Sequence, residues 1–135
     1  MAGTHVPILR RTDNMGFAGA QNVVIGPQLV ESTGWVTGVL LVRLYGPTIT
    51  IPAGGLVIGV QNVMVSPEDE VNLVEAKSGG NPSYIASLTI PTGAVAALYL
   101  ASFTPPIGKF VRVLIAPTVG TTTINLGIDL IGRSA

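Results

Sequence analysis

Apolar residues along 35–45, Trp-Val-Thr-Gly-Val-Leu-Leu-Val-Arg-Leu-Tyr, fall on both parities. Trp35, Val39, Leu41 and Tyr45 share one, and Val36, Leu40, Val42 and Leu44 the other. Alternation puts successive side chains on opposite faces, so a strand greasy on both is expected in the middle of a sandwich or at a subunit contact. Residues 56–65 repeat the pattern, with Leu56, Ile58, Val60 and Met64 against Val57, Val63 and Val65. Other segments alternate more cleanly. Tyr84, Ala86, Leu88 and Ile90 point inward with Ser87 and Thr89 outward, and Ile124, Leu126, Ile128 and Leu130 inward with Thr123, Asn125, Gly127 and Asp129 outward. Shorter strands are expected at 22–25, 29–31, 48–51 and 71–76, and a further strand at 109–116. Residues 94–103 have an alanine and leucine content that suits a helix as well, but Val95, Tyr99 and Phe103 favour a strand.

Gly26-Pro27, Gly34, Gly46-Pro47, Gly54-Gly55, Gly79-Gly80-Asn81-Pro82, Pro91-Thr92-Gly93 and Pro105-Pro106 separate these runs. About eight principal strands result, with turn signals every 8–12 residues or so. The predicted fold is an all-β, two-sheet antiparallel sandwich of jelly-roll or related Greek-key type, formed by residues 23–135. Residues 1–22 hold two adjacent arginines, Asp13-Asn14, three glycines and no period, and are expected to be an extended arm.

Composition sharpens this picture. Charged residues make up 10% of the chain against a usual quarter or so, apolar residues 47%, and mean hydropathy is +0.58. A lone sandwich keeps a more charged skin, so part of the surface is expected to lie against other chains. Seven basic and seven acidic residues balance with no basic stripe, which argues against direct nucleic-acid binding. The uncharged run 44–67 is broken by Pro47, Pro52, Gly54-Gly55, Gln61 and Asn62, so no membrane span is expected there. No basic start leads into an apolar core at the N-terminus, so the protein is expected to stay where it is made or to leave by lysis.

Candidate chemistry is sparse. Cysteine is absent, which removes thiolate nucleophiles and cysteine-based zinc sites, and His5, the one histidine, sits in the expected arm without an orienting partner. Glu68-Asp69-Glu70 could offer oxygens to calcium, but consecutive carboxylates point apart and a solvated loop is the simpler reading. Glu31, Glu75 and Asp129 are too scattered to suggest a glycosidase pair, and no nucleophile elbow or phosphate loop occurs. No catalytic residue, cofactor or metal is expected, and the chain is not expected to be an enzyme.

The order Trp35-Val36-Thr37-Gly38-Val39-Leu40-Leu41-Val42-Arg43, then Gln61-Asn62-Val63 with Ser66-Pro67-Glu68-Asp69, then Phe110-Val111-Arg112-Val113 and Ile128-Asp129-Leu130-Ile131-Gly132-Arg133, resembles small jelly-roll decoration or cement proteins of tailed bacteriophages. The resemblance implies a structural virion protein, made in the host cytoplasm and bound to the outer head surface. It implies the major capsid protein and further copies of the chain, as a homotrimer, as partners. On that analogy the arm reaches across to a neighbour, with His5, Ile8, Arg10, Arg11 and Phe17 as contact residues. An alternative is a carbohydrate-binding or adhesin-like module of a virion tip or fibre, which would need Tyr84 or Tyr99 exposed beside a carboxylate.

Overall fold

The structure, a computed structural model, describes residues 3–18, 23–51, 54–65, 73–75, 77–78, 81–82, 84–104, 107–117 and 121–134. Eleven strands are found among them: β1 (Gly3–Ala18), β2 (Val23–Glu31), β3 (Trp35–Thr50), β4 (Leu56–Val65), β5 (Leu73–Glu75), β6 (Lys77–Ser78), β7 (Asn81–Pro82), β8 (Tyr84–Ile90), β9 (Ala97–Phe103), β10 (Phe110–Pro117) and β11 (Thr121–Ser134). No helix occurs among the described residues, and thus none long and apolar enough to cross a membrane.

Two antiparallel sheets carry the fold. The first has the order β1-β11-β3-β9, and the second β2-β10-β4-β5, with β8 also pairing β4. Ignoring the short strands β5 to β7, pairing is nested. β1 lies beside β11, β2 beside β10, β3 beside β9 and β4 beside β8, so a long antiparallel ribbon is folded over itself into two sheets. That nesting is the jelly roll, and the two-sheet sandwich expected from the alternation is the observed architecture. Residues 97–103, where helix and strand competed, are the strand β9.

Inward rows of the two sheets meet in one core. Leu40, Val42 and Leu44 of β3 and Ile124, Leu126, Ile128 and Leu130 of β11 face Leu56, Ile58 and Val60 of β4 and Val111, Val113 and Ile115 of β10, all at most 2% exposed. Each such side chain contributes on the order of 2 kcal/mol by leaving water. The two strands that are apolar on both parities are interior to their sheets, β3 between β11 and β9, and β4 between β10 and β8.

Bulges correct the parity reading at specific places. Simple alternation put Trp35 on the face of Val39 and Leu41. A register step between Thr37 and Trp35 turns the indole into the core instead. There Gly38 and Gly132 are paired neighbours on the inner face, and Phe103 stands directly across from Gly38. A Cβ on Gly38 would sit within the Phe103 ring and one on Gly132 within the Trp35 indole, so the two glycines form a trough filled by two rings, 6.5 Å apart and tilted by 35°. A second step, between Val60 and Gln61 of β4, sends Tyr84 to the outer face, where its ring covers Gly59, while Ile85 packs on the core. A third holds the cis Gly46–Pro47 bond. Asn125 seals it, its amide donating to the Gly46 carbonyl at 3.3 Å and its oxygen accepting from the Asn14 amide at 2.8 Å.

The expected arm differs most. Gly3–Ala18 is extended, but it lies along β11 of its own chain from Gly3–Arg133 to Ala18–Thr121. Three register breaks, between Pro7 and Leu9, Leu9 and Thr12, and Thr12 and Met15, erase the alternation by which a strand is recognised. Ile8 is 6% exposed and belongs to the core, and Gly26, at φ 75°, passes so close over it that a side chain would meet the Ile8 backbone.

Gly38→Ala should lower the melting temperature by roughly 5–10 °C, because overpacking a trough of this kind costs about 2–3 kcal/mol. An unchanged melting temperature would show that the Phe103 ring has somewhere else to go. In the same assay Ile8→Ala should cost about 2–4 kcal/mol while Arg10→Ala, on the exposed side of β1, stays within about 0.5 kcal/mol. Equal, small effects would return residues 3–18 to the status of a loose arm.

Candidate functional site

The outer faces of the two sheets differ. On the second sheet Val63 and Leu114 are 1% and 2% exposed, the Gln61 side chain accepts a hydrogen bond from Arg112 Nε at 3.0 Å, and the Tyr84 ring lies on Gly59. Little apolar surface is offered there by these residues. On the first sheet the outward row of β3 is Val39, Leu41, Arg43 and Tyr45, flanked by Asp129 and Ile131 of β11 and by Leu98, Leu100 and Ser102 of β9.

Cross-strand register lines these residues up. Leu100, Leu41, Asp129 and Pro7 form one row, and Ser102, Val39, Ile131 and His5 the next. Leu98 and Leu100 keep 48% and 60% of their surface exposed, and Val39, Leu41 and Ile131 are half-buried. The β9 side of the face is therefore an apolar strip, and charge gathers toward β1. There His5 Nε2 lies 2.9 Å from Asp129 Oδ1, and Arg11 Nε donates to Asp13 Oδ1 at 3.0 Å while its guanidinium stacks 4.4 Å from the Tyr45 ring centroid. The His5–Asp129 hydrogen bond and the Arg11–Asp13 ion pair are both solvent-exposed, so each adds under about 1 kcal/mol, and they fix side-chain positions more than they stabilise the fold.

Two shallow depressions open on this face. One, of about 240 Å³, runs between Arg11, Arg43, Tyr45 and Leu98 over Gly127. The other lies over Val39, Ile131 and Phe103. Neither has the enclosed shape or convergent acid–base pair that a small-substrate site uses. Among the described residues no group of three His, Cys, Asp or Glu is placed to hold a metal ion.

Of the expected contact residues, His5, Arg10 and Arg11 are exposed on β1, with His5 and Arg11 held by their acid partners. Ile8 is in the core and has no surface to offer, which follows from the strand character of β1. Phe17 pairs through its backbone with Thr122. The contact residues expected on the arm do not include Leu98, Leu100, Leu41, Val39 and Ile131, which the structure brings together on one outward face. The signal in the sequence was the doubly apolar 35–45 strand, whose second parity lies on this outward face. Tyr84 and Tyr99 are both half-buried, the first over Gly59 and the second against the core with its hydroxyl donating to the Val95 carbonyl at 3.3 Å. Glu68-Asp69-Glu70 lie outside the described residues.

No family model matches the chain, and no curated protein matches it. Among solved structures it is similar to a chain from work reporting that Bacillus endospore appendages form a novel family of disulfide-linked pili, at 11% identity and a TM-score of 0.43, covering 99% of this chain and 88% of that one. A likeness that slight carries no reading of function, and this chain has no cysteine with which to form such links.

Proposed function

We propose that the chain is a structural virion component, a head decoration or cement protein and not an enzyme, which lays the outer face of its β1-β11-β3-β9 sheet on the capsid surface and braces the lattice. The observation that carries this reading is the apolar strip of Leu98, Leu100, Leu41, Val39 and Ile131 on one sheet face of a chain with little charge. Covering one exposed leucine gains about 1–2 kcal/mol, too little alone for a specific complex. A lattice that presents the complementary surface many times supplies the rest through multiple attachment. The His5–Asp129 and Arg11–Asp13 pairs at the β1 side would form the polar rim that such contacts have around an apolar centre. Half-buried Tyr84 and Tyr99 do not favour the carbohydrate-binding alternative, which requires a freely offered ring.

The test uses heads from a phage in which this reading frame has been disrupted. Purified chain added to those heads should co-sediment saturably and raise the temperature at which they release DNA. Ile131→Lys, placed at the centre of the face, should weaken binding at least about tenfold, a loss near 1.4 kcal/mol, with the melting temperature of the free protein held within a few degrees. A chain that stays in the supernatant at every concentration, or an Ile131→Lys variant that binds as well as the parent, would overturn the proposal.

A further inference from the structure

The open flank of the four-stranded sheet is β9, and it lacks the devices that keep strand edges from pairing. The opposite flank, β1, is blunted by Pro7, by three breaks in register and by Arg10, Arg11 and Asp13. The β2 flank of the other sheet is interrupted at Gly26-Pro27. By contrast β9 runs Ala-Leu-Tyr-Leu-Ala-Ser-Phe with no charge, proline or glycine, and pairs with β3 without a break from Gly38–Phe103 to Leu44–Ala97. Among the described residues no backbone hydrogen bond satisfies its other side.

We propose that β9 is a self-pairing edge, at which two copies of the chain join their four-stranded sheets antiparallel about a two-fold axis at Leu100. The strand is self-complementary in that register. On the inner face Tyr99 falls opposite the partner copy's alanine at 101 and Phe103 opposite its alanine at 97, large against small in both directions. On the outer face the two Leu100 side chains meet, and Leu98 falls opposite the serine at 102. A register moved by one residue pair toward the C-terminus would set Tyr99 against the partner's phenylalanine and waste the match. Because β9 carries no charge, two copies approach with no like-charge repulsion along the joint. The joined molecule has one eight-stranded sheet with two apolar strips side by side. This contact is two-fold, so a trimer would need a different surface, and it holds whether or not the chain binds a capsid.

The experiment uses the full chain, which has no native cysteine, so that any disulfide is between introduced residues. Light scattering across micromolar to near-millimolar concentration should give twice the 13.9 kDa chain mass. Leu100→Cys should form a reducible dimer on mild oxidation, whereas Val95→Cys, 70% exposed but outside the strand, should not. Leu100→Lys and, separately, Ser102→Lys replace exposed side chains and should raise the dimer dissociation constant at least about tenfold with an unchanged circular dichroism spectrum. Ile131→Lys, two strands away, should leave the dimer intact while weakening attachment to heads, which separates a failure here from a failure of the capsid proposal. A wild-type chain that is monomeric throughout, an assembly untouched by both lysine variants, or a trimer that Leu100→Cys does not cross-link would each overturn the self-pairing edge.

Discussion

Everything in this fold depends on closing two sheets over one dry slab of aliphatic side chains. Leu40, Val42 and Leu44 can leave water only if Ile58, Val60 and Val113 come to meet them, and these residues lie far apart in the sequence. Nested pairing solves that problem with antiparallel neighbours alone, since folding one long ribbon back on itself brings the first strand beside the last and the second beside the next to last. The slab is closed at one end by the Trp35 and Phe103 rings over Gly38 and Gly132, and at β2 by the Ser32 hydroxyl and amide, which bond the Gly108 and Lys109 carbonyls. A strict apolar core and a few polar latches thus divide the work.

The sandwich was legible because its strongest signal is local. Period-two alternation in β8 and β11, and turns marked by glycine and proline, needed no knowledge of partners. Residues 3–18 were not legible as a strand because bulges break the period: each inserted residue reverses the parity of all that follow, so a paired strand looks like an irregular tail. The same effect misplaced Trp35 and Tyr84. Neither position can be corrected without knowing which residue of β11 or β4 stands opposite.

The face was half legible. Apolar residues on both parities of 35–45 announced an apolar second face, yet only register shows that Leu41 lies between Asp129 and Leu100, and so that the strip runs toward β9. The family resemblance placed contacts on the expected arm, at His5, Ile8, Arg10, Arg11 and Phe17. The structure instead ties Arg11 to Asp13 and Tyr45, and leaves the apolar side open.

Trp35 has one further consequence. It is the chain's one tryptophan, 8% exposed and lodged at the end of the slab on the side away from the open face. Its emission therefore reports on the interior alone. Loss of the native state will redden that light as the indole meets solvent, whereas attachment of anything to the outer surface will leave the colour alone, so one natural chromophore separates a molecule that has come undone from one that has merely found company.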